Sequence, residues 1–175
     1  MNVMPGIAAA TLVWAAAAGV ADLRTRRIPN TITGAALLTG LVAHTMTSGA
    51  TGFLDAGSGA LWMAALLLPG WWLGWMGGGD VKLMAGLGAW LGVEAAVVAL
   101  LATLIAGGLM AAGVALRRGT LNRSIVGAAQ LASWWVIGAR SGAVTPVTSG
   151  VRFPFALAAF AGTLIALLLP GGGQG

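Results

Sequence analysis

Apolar runs alternate along the chain with short polar or glycine-rich interruptions, and they fall over residues 5–21, 31–47, 57–76, 80–92, 94–116 and 153–169. Each predicts a helix, because a segment surrounded by lipid has no other partner for its backbone N–H and C=O groups. The fourth run is short. To approach the roughly 17 to 25 residues that a span needs, it must begin at or before Asp80, which places that acid partly inside the membrane. The first run ends in Gly19-Val20-Ala21, small residues of the kind a signal peptidase accepts, but residues 1–6 carry no Lys or Arg and the basic residues follow the run. A retained first span with its amino terminus outside is therefore expected. Ile125 to Ala139 is apolar but interrupted by Gln130 and Ser133, and the spacing of Leu121, Ile125, Ala128, Leu131 and Trp135 suits an amphipathic helix over about 120–140 at the cytoplasmic interface.

Composition supports the membrane. Of 175 residues, 58% are hydrophobic, 7% are charged and 29 are glycine, a balance that no soluble core of this length could absorb without a large exposed apolar area. The reading is an all-α, polytopic, single integral-membrane domain with about six spans, located in the cytoplasmic membrane. The formal net charge of +5 does not indicate nucleic acid, since the nine Lys and Arg are scattered between apolar runs without a basic block. They act instead as topology signals. With the amino terminus outside, Arg24, Arg26, Arg27, Lys82, Arg117, Arg118, Arg123, Arg140 and Arg152 fall on the cytoplasmic side, and Asp55 and Glu94 fall on the other.

Only four acids occur in the chain, and two of them, Asp22 and Asp80, share the predicted cytoplasmic face at the ends of apolar runs. An acid kept so near hydrocarbon is costly and marks a functional site. Two carboxylates brought within a few ångströms do not both ionise easily, so one holds a proton while the other activates a water for attack on a carbonyl. Other hydrolytic chemistries are poorly served. There is no cysteine, and the single histidine, His44, lies toward the opposite end of the second span. Two separate Asp and one remote His do not make the ligand set of a metal site, so no metal and no cofactor is expected.

The residues around the acids have two readings each. Gly77, Gly78 and Gly79 form either a plain connection or a stretch whose missing side chains let a substrate backbone approach Asp80. Arg24, with its neighbours Arg26 and Arg27, is an anchor to the cytoplasmic face or a substrate contact. Lys82 either favours the charged form of a nearby carboxylate or snorkels to the interface. Pro29 and Asn30 suit the start of the second helix, with Asn30 as its cap.

Taken together, Asp22-x-Arg-x-x-x-Ile-Pro-Asn and Gly-Gly-Gly-Asp-x-Lys-Leu, two spans apart, resemble the paired aspartate motifs of the prepilin peptidases, intramembrane aspartic proteases of the Gly-x-Gly-Asp type. Leu87-Gly88 extends the likeness, and Arg152-Phe153-Pro154-Phe155-Ala156 resembles the proline-aromatic opening of the family's last span. The resemblance implies that Asp22 and Asp80 are the catalytic pair. It implies a prepilin or pseudopilin substrate, cut at the cytoplasmic face between a short basic leader and a hydrophobic stem. Larger members carry an amino-terminal Cys-x-x-Cys region associated with methylation, which this cysteine-free chain lacks. It therefore resembles the small, peptidase-only branch that serves tight-adherence (Flp) pili, although small archaeal preflagellin peptidases share the two aspartates. Two other classes fit the composition: a small transporter using the acids as a proton relay, and a structural secretion subunit using them as helix caps.

Overall fold

The computed structural model describes residues 5–72, 74, 76–117, 119 and 155–168. These fold into four helices, α1 (Pro5–Thr25), α2 (Asn30–Trp72), α3 (Gly78–Arg117) and α4 (Phe155–Leu168). Among them α1, α2 and α3 are long and apolar enough to cross a membrane, and α4 is a shorter apolar helix. The expected interfacial helix over 120–140, Pro154 and the first residues of the 153–169 run lie outside the described residues.

Neither α2 nor α3 is one straight rod. The 43 residues of α2 contain Gly49 at φ 61°, ψ −139°, and the 40 residues of α3 contain Gly92 at φ 69°, ψ 175°. A left-handed φ costs glycine nothing and any other residue dearly, so both breaks fall where the chain can turn. It does turn. In an unbroken α2, Gly40 and Gly59 would stand nearly 30 Å apart, at about 1.5 Å per residue. Instead Gly40 packs on Ala89 and Trp90, and Gly59 packs on Gly88 and Gly92. Both halves of α2 therefore lie against the same stretch of α3, and Gly52 folds back onto the His44 carbonyl.

The described residues thus form six helical segments where six apolar runs are expected, with the boundaries moved. Residues 48–56, expected to connect two spans, are helical apart from Gly49, and the Thr51 hydroxyl is accommodated by bonding back to Ser48 O at 2.7 Å. The helix expected over 57–76 stops at Trp72, and the one expected to end at residue 21 runs on to Thr25, which carries Asp22 into its last turn. The fourth run does begin before Asp80, at Gly78.

That short fourth segment is the centre of the molecule. Leu83, Met84, Leu87 and Ala89 are completely buried, among Met63 and Leu67 of α2, Ala15 and Ala18 of α1, and Ala156 and Ala159 of α4. From Gly78 to the break it is only about 21 Å long, short of the roughly 30 Å hydrocarbon thickness. A helix jacketed by protein does not have to match the lipid. Small residues let backbones approach closely, most tightly where Gly59 crosses Gly88 on this segment and, beyond the break, where Gly162 meets Thr103 and Ala99.

The break at Gly92 is closed by side chains from both halves of α2. His44 Nε2 lies 3.0 Å from Trp90 O, a carbonyl that the break leaves without its helical donor, and Asp55 Oδ1 accepts the Val93 N–H at 3.3 Å. One caps the end before the break and the other the start after it. By contact density the chain divides into two compact units, Met1–Gly107 with Pro154–Gly175, and Gly108–Phe153. The described part of the second comprises the last turns of α3 and Gly119, whose N–H donates to Leu116 O at 3.2 Å.

Candidate active site

The connection between α1 and α2 is short and internally tied. Arg26 adopts φ 52°, a left-handed helix-ending conformation, and its N–H donates to Asp22 O at 2.8 Å. Thr25 Oγ1 donates to both Ala21 O (2.9 Å) and Arg27 O (2.8 Å), so the chain leaves α1 in a defined direction. Arg24, Arg26 and Arg27 are exposed around this corner.

Asp22 points the other way. It is only 9% exposed, and its Oδ2 accepts the N–H of Ala156 at 3.3 Å. Ala156 is the second residue of α4, whose first-turn N–H groups have no partners within their own helix, so Asp22 caps a helix far from it in sequence. Asp80 is the third residue of α3 and is partly buried. Its Oδ2 accepts the Gly77 N–H at 3.1 Å, while its own N–H donates to Gly77 O at 3.1 Å. This is the acid half of a capping box. The corner that follows Asp22 meets the first turn of α3, with Ile28 packed against Gly79 beside Asp80.

The three glycines are not a loop. Gly78 and Gly79 are the first helical residues of α3, and none of Gly77, Gly78 and Gly79 has a positive φ. Helix geometry is reached at once, and what their missing side chains provide is room. A Cβ on Gly77 would stand 3.3 Å from Asp80 Oδ2, and one on Gly78 would stand 3.1 Å from Trp71 Nε1. Gly79 is covered by Ile28, 3.5 Å from where its Cβ would lie.

Two expectations about polar residues change. Asn30 is not the cap of α2: Pro29 holds that position, its carbonyl accepting the N–H groups of Ile32 (3.1 Å) and Thr33 (3.3 Å). Lys82 reaches neither carboxylate, and its Nζ donates to Asn30 Oδ1 at 3.0 Å. The sequence carried no direct sign of this pair, nor of Ala156 as the partner of Asp22, although the proline-aromatic opening of the last run marked the right end of α4. Among the described residues no group of three or more His, Cys, Asp and Glu is placed to hold a metal ion.

With this geometry in view, the comparisons with known proteins are specific. The family model for the type IV leader peptidase family matches residues 9–112, which include both acids, the α1–α2 corner and the glycines before Asp80. The chain is 33% identical over 132 residues to a prepilin leader peptidase/N-methyltransferase of Aeromonas hydrophila, a match covering 67% of the chain and 44% of that protein. Less than half of that relative's length is thus represented. No solved structure matches the chain.

Proposed function

Because the chain belongs to the type IV leader peptidase family, we propose that it is an intramembrane aspartic endopeptidase that removes the short basic leader of Flp-type prepilin-like subunits at the cytoplasmic membrane face. The observation that carries this reading is the placement of Asp22 and Asp80: two of the four acids, from distant parts of the chain, stand at helix ends, Asp22 in the last turn of α1 against the start of α4 and Asp80 in the first turn of α3. In the proposed reaction one carboxylate takes a proton from a water as the water attacks the scissile carbonyl. The other, protonated, donates to the carbonyl oxygen and then supports collapse of the tetrahedral intermediate. The amine leaves with a proton from the pair, and no covalent intermediate forms.

Gly77, which the Asp80 carboxylate alone overlooks, would let an extended peptide run close to that acid, with Trp71 and Ile28 packed against Gly78 and Gly79 as the walls beside it. Arg24, Arg26 and Arg27 are exposed and would hold the site at the anionic inner leaflet. The buried, protein-jacketed helix behind Asp80 supplies the rigid support a catalytic pair needs. Co-expression with a candidate prepilin tests the proposal: intact mass of the pilin should fall by the leader with the wild-type chain, and persistence of the full-length mass would contradict it.

A further inference from the structure

The hydrogen bond from Lys82 to Asn30 joins the two halves of the site, and its place in the packing gives it a purpose. Gly79, Lys82 and Gly86 share one face of α3 by their i, i+3, i+7 spacing. All three meet the start of α2: Gly79 lies under Ile28, Lys82 bonds Asn30, and Gly86 packs on Ala36, the Thr33 carbonyl and Leu37. Asp80 lies roughly 160° around the helix from Lys82, on the face it shares with the buried Met84 and Leu87. Turning or sliding the first turn of α3 would therefore move Asp80 relative to Asp22, and the seam along α2 opposes that motion. Within the seam Lys82 and Asn30 form the polar contact, while the rest is glycine, alanine and aliphatic packing. Asn30 is itself fixed to Asp22, through Pro29, the Thr25 to Arg27 bond and the Arg26 to Asp22 bond.

We propose that Lys82 and Asn30 are positioning residues, a latch that sets the register of α3 against the α1–α2 corner and thereby the separation of the two aspartates. The inference rests on the peptidase reading for its kinetic consequence, but not for its structural one. Lys82 touches no reacting atom; it acts through Asp80.

The test uses the full chain reconstituted in lipid and a synthetic peptide with a basic leader joined to a hydrophobic stem. Lys82→Met and Asn30→Ala should each lower kcat by about 10- to 100-fold, the scale of a misplaced catalytic group, with KM changed less than about twofold. The double variant should be no worse than either single one, and Lys82→Arg, which can still donate to the amide, should retain most of the activity. Multiplicative losses, a wild-type Asn30→Ala, or a change in KM alone would overturn the latch. A second readout needs no proteolysis. The chain has no cysteine, so the rate of disulfide formation between Asp22→Cys and Asp80→Cys reports their approach directly. It should slow when Lys82→Met is added, and an unchanged rate would overturn the latch even if the peptide is cleaved. A slowed rate, combined with no prepilin cleavage by the chain that keeps both aspartates, would leave the latch standing and remove the peptidase reading.

Discussion

Asp22 and Asp80 each carry two duties, and the duties separate by substitution. Each accepts a backbone N–H at a helix start, Ala156 for Asp22 and Gly77 for Asp80, a task any side-chain carbonyl oxygen can perform. Proton transfer needs a carboxyl. Asp22→Asn is therefore expected to melt close to the wild type, whereas Asp22→Ala, which orphans the Ala156 N–H, should lose about 1 kcal/mol of stability in a thermal melt. A structural cap alone would make the Asn variant fully functional; a proton-transferring pair makes it inert. The sequence identified these two residues because an acid is rare in so apolar a chain, but it could not show which backbone groups they meet. Those partners depend on where α4 docks, and the one hydroxyl in its described length, that of Thr163, is absorbed by its own helix at the Ala159 carbonyl.

Among the helices, the break positions decide the fold. Gly49 turns α2 back on itself and Gly92 interrupts α3, and the second break is closed by His44 and Asp55. Asp55→Asn keeps the oxygen that accepts the Val93 N–H and should leave leader removal unaffected, as should Glu94→Gln, since Glu94 is exposed. Asp55→Leu removes the cap and should lower the melting free energy by about 1 kcal/mol without changing which bond is cut. The crossing of Gly59 and Gly88 is less forgiving. A side chain at either position meets backbone atoms of the other helix, so Gly88→Val should cost about 1 to 3 kcal/mol or more and reduce the folded fraction on size-exclusion chromatography. The apolar runs were legible because hydrophobicity is a local property, and the segment boundaries shifted because caps and turns are not. Thr51 falls between the expected runs, yet its hydroxyl is absorbed by its own helix.

For the whole molecule, the proposed arrangement is six crossings with both aspartates on the cytoplasmic side and both glycine breaks on the other. The cysteine-free chain allows single-cysteine mapping: Arg24→Cys should react with an impermeant thiol reagent from the cytoplasmic side, and Ser48→Cys and Glu94→Cys from the outer side. In that arrangement the helix that carries Asp80 in its first turn, jacketed by protein, crosses although it is shorter than the hydrocarbon is thick. The directness of leader removal makes it the decisive measurement. With a prepilin co-expressed and the enzyme variants accumulating equally in the membrane, the intact mass of the pilin should show the leader removed by the wild-type chain and retained with Asp22→Asn and with Asp80→Asn alike; a pilin processed normally by the Asp80→Asn chain would contradict the aspartate pair.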